Sequence, residues 1–191
     1  MLPFDPPVFH FLNANAQSPL WWIQASRFAS NWLPTLCALP VIAAMLALGK
    51  GWRRSLQLAL LSMAVAWIAC RLIRWGIPMP RPAQLGMGHQ WIQHGSSASF
   101  PSMHAAGAFA LAMGVNLGVG RHQRWLLICS WTLAIGVALS RVVLGVHFPS
   151  DILAGMLTGA ASAALVWRST LHIKQAQRRK RLKQRLQPQT S

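Results

Sequence analysis

Five stretches of this chain are apolar almost without interruption: residues 32–49, 55–73, 103–120, 125–144 and 151–167. A helix rises about 1.5 Å per residue, so each can cross a hydrocarbon core about 30 Å thick. The pattern predicts an all-α integral membrane protein, a bundle of five transmembrane helices. Residues 8–30 differ. Val8, Phe9, Phe11 and Leu12 give way to Asn13, Asn15 and Gln17, and then Leu20, Trp21, Trp22 and Ile23 follow. This alternation is too polar for a span and predicts an amphipathic helix lying in the interface. A poor sixth span is the alternative. Three regions follow: an N-terminal interfacial helix at 1–31, a transmembrane domain at 32–167 and a basic tail at 168–191. The start, from Met1 to Phe9, lacks a basic segment followed by an apolar one and does not read as a cleaved leader.

Composition agrees with this layout. Charged residues make up 10% of the 191 positions. Soluble domains carry about 25%. An ordinary soluble enzyme is excluded, as are a disordered tail protein and a disulfide scaffold. The odd cysteine count (Cys37, Cys70 and Cys129, each in an apolar run) predicts small core residues.

The charge is lopsided. Two acidic residues, Asp5 and Asp151, face 18 Lys and Arg. Thirteen of the 18 fall in the loop at 50–54, the loop at 121–124 and the tail. If the five spans alternate, all three lie on one side, which the positive-inside bias makes cytoplasmic. Residues 74–102 and 141–150 then face outward. Trp32, Trp52, Trp75, Trp125 and Trp167 sit near span ends, as interfacial anchors do. Trp67 and Trp131 lie deeper and are expected to pack. A polybasic stretch directly after a span fits an anionic lipid surface better than nucleic acid. Asp5 reads as an incidental surface charge.

Five basic residues remain: Arg27, Arg71, Arg74, Arg81 and Arg141. Arg27 suits the interfacial helix, where its head can snorkel, and Arg71 suits an interface anchor. Arg74, Arg81 and Arg141 sit on the outer side, against the charge bias. Asp151 alone cannot pair them all. Either they are solvated or they await an anion the chain does not supply, and guanidinium forks match phosphate. Nearby, Pro101 and Ser102 make a plausible helix start with free N–H groups for phosphate oxygens. His147 and Asp151 stand four apart. On a helical turn they share a face, and a carboxylate on one ring nitrogen leaves the other free to attack. Taken alone, His104 also suits a packing histidine, and His147 with Asp151 a helix-start pair. His10, His89, His94, His122 and His172 carry no pattern and read as surface residues.

Together these segments resemble the signature of the type 2 phosphatidic acid phosphatase family (PAP2), which is related to vanadium haloperoxidases. Its pattern is a basic residue, six residues and Arg-Pro, matched by Arg74, Arg81 and Pro82. Next comes Pro-Ser-x-His, matched by Pro101, Ser102 and His104. Last is Ser-Arg, five residues, His, three residues and Asp, matched by Ser140, Arg141, His147 and Asp151, with Gly145 suited to the turn. The resemblance covers about 8–167, and the layout is most similar to the bacterial undecaprenyl-diphosphate phosphatases of that family. Two departures are Arg74 in place of the usual Lys, and Met103 where Gly is common. The resemblance implies His147 as nucleophile, Asp151 orienting its ring, and His104 as general acid and then base. It implies that Arg74, Arg81, Arg141, Ser102 and the Met103 backbone hold phosphate oxygens. No cofactor is expected, and no metal, since two carboxylates form no ligand cluster. The implied activity is hydrolysis of undecaprenyl diphosphate at the outer face of a bacterial plasma membrane. Phosphatidylglycerophosphate, phosphatidate and phosphotransfer to lipid A share such a site. A non-catalytic lipid binder or transporter is the reading from another class. Spans 55–73 and 103–120 could flank a groove for the lipid chain.

Overall fold

A computed structural model describes residues 2–32, 50–93, 95, 97–118 and 124–186. The described residues form six α-helices: α1 Asp5–Leu12, α2 Leu20–Asn31, α3 Lys50–Gly76, α4 Met103–Gly118, α5 Arg124–Val143 and α6 Pro149–Leu186. A short 3-10 turn, Pro82–Leu85, stands in the α3–α4 connection. Stretches of α3, α5 and α6 are long and apolar enough to cross a membrane, and α4 is a shorter apolar helix. Of the expected span at 32–49, all but Trp32 lies outside the described residues.

The long helices are built inside out. Leu61, Ile68, Leu72 and Trp75 are exposed on α3, Ile128, Ile135 and Leu139 on α5, and Leu153, Leu157 and Leu165 on α6. Their spacings of three, four, seven and eight place each set on one helical stripe. Such stripes would be costly in water and suit lipid. The buried side is instead small. Helix α4 packs against α3, α5 and α6, and carries Ala105, Ala106, Ala110 and Ala112 into the core. Helix α6 meets it through Gly155 and Gly159, four residues apart. A Cβ on Gly159 would strike the Ala106 carbonyl oxygen, and one on Gly155 would come 2.6 Å from that of Ser102. Without a hydrophobic drive between helices in lipid, close backbone approach of this kind supplies the packing.

Several expectations change. The N-terminal segment is two helices, not one, because Asn13–Ser18 turns the chain and Pro19 restarts it. Helix α2 keeps an exposed apolar face of Leu20, Trp21, Trp22 and Phe28. Helix α1 does not lie loose: Phe9 and Asp5 are both fully buried. Asp5 is therefore no incidental surface charge. Arg27 does not snorkel freely, since it donates to the Trp91 carbonyl at 2.6 Å. Trp67 is half exposed rather than packed inside, with the Arg71 guanidinium 4.5 Å over its ring. Trp131 does pack, edge-on against Phe109. Cys70 is buried as expected, Cys129 is exposed, and Cys37 is outside the described residues. His10, His89 and His172 are exposed; His94 and His122 are outside the described residues. The loop at 50–54 is already helix. Helix α6 runs unbroken for 38 residues, from the bundle to Leu186. At about 1.5 Å per residue, a helix of that length extends roughly 57 Å, well past a bilayer core about 30 Å thick.

The two ends of the bundle have separate inventories. At one end Arg54 stacks over Trp167, so the basic start of α3 and the root of the basic tail are neighbours. At the other end Arg74 reaches Pro101 just before α4. That end holds the candidate site.

Candidate active site

The α5–α6 turn makes the centre of the site. Gly145 has φ +74, and a Cβ there would also strike the His89 carbonyl oxygen, so both dihedral and space demand glycine. The turn folds back on itself, with the Val146 N–H donating to Arg141 O at 3.1 Å. It delivers His147 two residues before α6 begins at Pro149. His147 and Asp151 are both buried, and His147 Nδ1 lies 3.3 Å from Asp151 Oδ2. The Asp151 carboxylate also accepts the Phe148 N–H at 2.8 Å.

A third member joins this pair. The Ser99 hydroxyl donates to Asp151 Oδ2 at 2.5 Å and stands 3.1 Å from His147 Nδ1. Ser99 is fully buried. No spacing rule in the sequence singles it out. The signal was only a serine just before Phe100 and Pro101, and it gained meaning when the chain brought it across 52 positions to Asp151. With its hydroxyl proton given to Asp151, Ser99 Oγ is an acceptor toward the ring. Nδ1 then carries the proton and Nε2 the lone pair. The other face agrees: Arg81 Nη1, which can only donate, is 3.3 Å from Nε2. Both neighbours select the same tautomer, with a nucleophilic Nε2 pointing at a guanidinium.

The arginines are held by backbone, not by acids. Arg74 donates to Pro101 O at 2.8 and 3.0 Å. Arg81 donates to Val146 O at 2.8 Å and Ser97 O at 2.9 Å. Burial, and then the like charge of Arg74, draw Arg81 down to about 10, with Asp151 opposing. It remains cationic at neutral pH. Arg141 is 1% exposed. Its Nη1 donates to Ser30 of α2, while Nε and Nη2 are buried with no hydrogen-bond partner among the described residues. A buried donor left unmatched costs about 1–3 kcal/mol or more when charged, so these two nitrogens point to a missing acceptor. Arg81 donates to Val146 O and the Val146 N–H donates to Arg141 O, so both of these arginines attach to the turn that carries His147.

Ser102 joins α4 to α6. Its backbone N–H donates to Asp151 O at 3.0 Å, and its hydroxyl caps α4 by accepting the Ala105 N–H at 3.4 Å. The Met103 side chain packs against the cluster of Ala66, Cys70, Ala106 and Ala110. His104 stands on the first turn of α4, exposed, at a cavity of about 470 Å³. That cavity lies among α3, α4 and α5, and Met63, Trp67, Leu111 and Val137 are among its walls. Among the described residues, no group of three or more His, Cys, Asp or Glu is placed to hold a metal ion.

Comparison with known proteins decides the family. The profile of the PAP2 superfamily matches residues 55–174. The chain belongs to the PAP2 superfamily. It is 31% identical over 173 residues to the Escherichia coli (strain K12) protein named "Putative undecaprenyl-diphosphatase YbjG", covering 86% of this chain and 83% of that one. The crystal structure of Aquifex aeolicus LpxE superposes with a TM-score of 0.70 at 20% identity, covering 87% of this chain and 96% of that one. The first transmembrane PAP2-type phosphatidylglycerolphosphate phosphatase structure, from Bacillus subtilis, gives 0.67 at 23%, covering 88% and 85%. The fold is therefore that of membrane PAP2 enzymes. The chain is a multi-pass membrane phosphatase of PAP2 type.

Proposed function

We propose that this PAP2 phosphatase hydrolyses undecaprenyl diphosphate to undecaprenyl phosphate and inorganic phosphate through a phospho-histidine. The observation that carries the chemistry is the His147 ring. Its Nδ1 is engaged by Asp151 and Ser99, and its Nε2 faces Arg81. The Nε2 lone pair attacks the terminal phosphorus, and the bond from that phosphorus to the bridging oxygen breaks. Arg74, Arg81, Arg141, Ser102 and the Met103 backbone N–H hold the equatorial oxygens as charge spreads over them. Phosphoryl transfer gains mostly from such positioning and charge matching. His104 gives its proton to the leaving lipid phosphate. It then takes a proton from water, which attacks phosphorus and breaks the P–N bond. Asp151 stabilises the imidazolium while it exists.

The lipid assignment rests on the cavity beside His104, whose walls are mostly apolar, and on the E. coli relative. The charge asymmetry supports a bacterial plasma membrane with the site facing outward. Arg54 and the tail share the opposite end of the bundle, the end expected in the cytoplasm. The tail would rest near anionic lipid there.

The test uses detergent-purified protein with chelator present. Undecaprenyl diphosphate, phosphatidylglycerophosphate, phosphatidate and lipid A with a diphosphate donor are offered in parallel. Phosphate release from the diphosphate is expected, with a loss on the order of 10³-fold or more in His147→Ala. Full activity in that variant, or none without added metal, overturns the mechanism. Preference for a glycerophospholipid, or transfer to lipid A, overturns the substrate.

A further inference from the structure

The start of α6 lacks an ordinary cap. A helix leaves its first N–H groups without partners inside the helix. The usual remedy is an oxygen on the side chain just before it, accepting the N–H of the second or third residue. Here that residue is Phe148, which has no side-chain oxygen. Asp151, at the third position, accepts the Phe148 N–H, which is the returning half of a capping box. The forward half is missing from the segment.

It comes from the other end of the chain. The Ser150 N–H donates to Asp5 Oδ1 at 2.8 Å, and the Ser150 hydroxyl donates to Asp5 Oδ2 at 2.7 Å. The partners are 145 positions apart. The Leu2 N–H donates to the same carboxylate at 2.6 Å. Asp5 is 0% exposed. A carboxylate at a helix N-terminus is also favoured by the helix dipole. Beside it Phe9, equally buried, packs on Phe148 with ring centroids 5.5 Å apart. Helix α1 thus grips Phe148 and Ser150, residues that lie between His147 and Asp151. The PAP2 profile begins at residue 55, so the α1 side of this grip lies outside the matched region.

We propose that Asp5 is a positioning residue for phosphoryl transfer. By capping α6 from a distant segment it holds Asp151 in place, and through Asp151 the His147 ring. The proposal rests on the phosphatase reading above. A mere anchor for α1 would affect stability. A positioning residue affects turnover in protein that is fully folded.

The full-length protein, Asp5→Ala, Asp5→Asn, Ser150→Ala and His147→Ala are purified in detergent. Phosphate release from undecaprenyl diphosphate is measured well below each variant's melting temperature. Asp5→Ala is expected to lower kcat about tenfold with KM within about twofold. Asp5→Asn keeps an acceptor for the Ser150 N–H and is expected within about threefold of wild type. If Asp5→Ala does not fold, Ser150→Ala carries the test, because it removes the hydroxyl contact and keeps the backbone one. A fall of about threefold in kcat at constant KM is then expected. Wild-type kcat in folded Asp5→Ala or Ser150→Ala, beside an inactive His147→Ala, overturns the proposal alone. So does a rise in KM at constant kcat. No release by wild type, or full activity in His147→Ala, overturns the phosphatase reading and this proposal with it.

Discussion

Arginine is put to opposite uses at the two ends of this molecule. At the site end Arg81 and Arg141 are 2% and 1% exposed, and each is tied to backbone or hydroxyl oxygens. At the far end Arg178, Arg179 and Arg181 are exposed along α6, with Lys180 exposed among them. The residue type is the same, and both ends carry an excess of positive charge. What differs is freedom. The buried guanidinium groups have lost their water and their rotamers already, so an incoming phosphate meets donors that need no rearrangement. The exposed ones keep both. They form a diffuse positive surface whose pull on an anionic membrane is screened by salt.

Three variants can break or sharpen this contrast. Arg81→Ala removes a fixed cation beside His147 Nε2, and kcat/KM for the lipid diphosphate is expected to fall about 10²–10³-fold. A loss no larger than that from an exposed tail arginine would erase the distinction. Arg141→Lys keeps the charge and deletes the two unmatched donors. A rise in KM of roughly 10- to 100-fold is expected, measured by phosphate release across substrate concentration. Wild-type KM would mean that the fork of donors is irrelevant and charge alone suffices. Changing Arg178, Arg179, Lys180 and Arg181 together to Gln is the mildest. Turnover in neutral detergent is expected within about twofold, because exposed charges act weakly at a distance. Binding of a tail peptide, residues 168–191, to anionic vesicles should weaken by about 1 kcal/mol per charge removed. A large loss of turnover in detergent would place the tail in the reaction.

The apolar runs and the ten motif positions were legible because they rest on local rules. Span length reads off the number of apolar residues, and Arg74, His104, His147 and Asp151 sit at fixed spacings within short segments. Charge arithmetic also marked Arg74, Arg81 and Arg141 as a group, since nothing acidic nearby could balance them. The same local rules failed on Asp5, Ser99, Arg27 and Trp67. A short helix at 5–12 followed by a turn looked like one interfacial stretch. Its buried face became visible only against Phe148 and Ser150.

By itself, then, the sequence determined an all-helical membrane phosphatase of the PAP2 superfamily, the three long helices and the shorter apolar α4 among the described residues, and the residue types of its motifs. Tertiary structure alone decided how the candidate site is held. Ser99 meets Asp151 across 52 positions, Ser30 meets Arg141 across 111 and Asp5 meets Ser150 across 145. The reason is physical. Periodicity and spacing record what a residue does to its own turn of helix. A buried hydrogen bond between distant segments depends on which helix faces meet, and single positions such as Gly145, Gly155 and Gly159 settle that by how closely they let backbones approach.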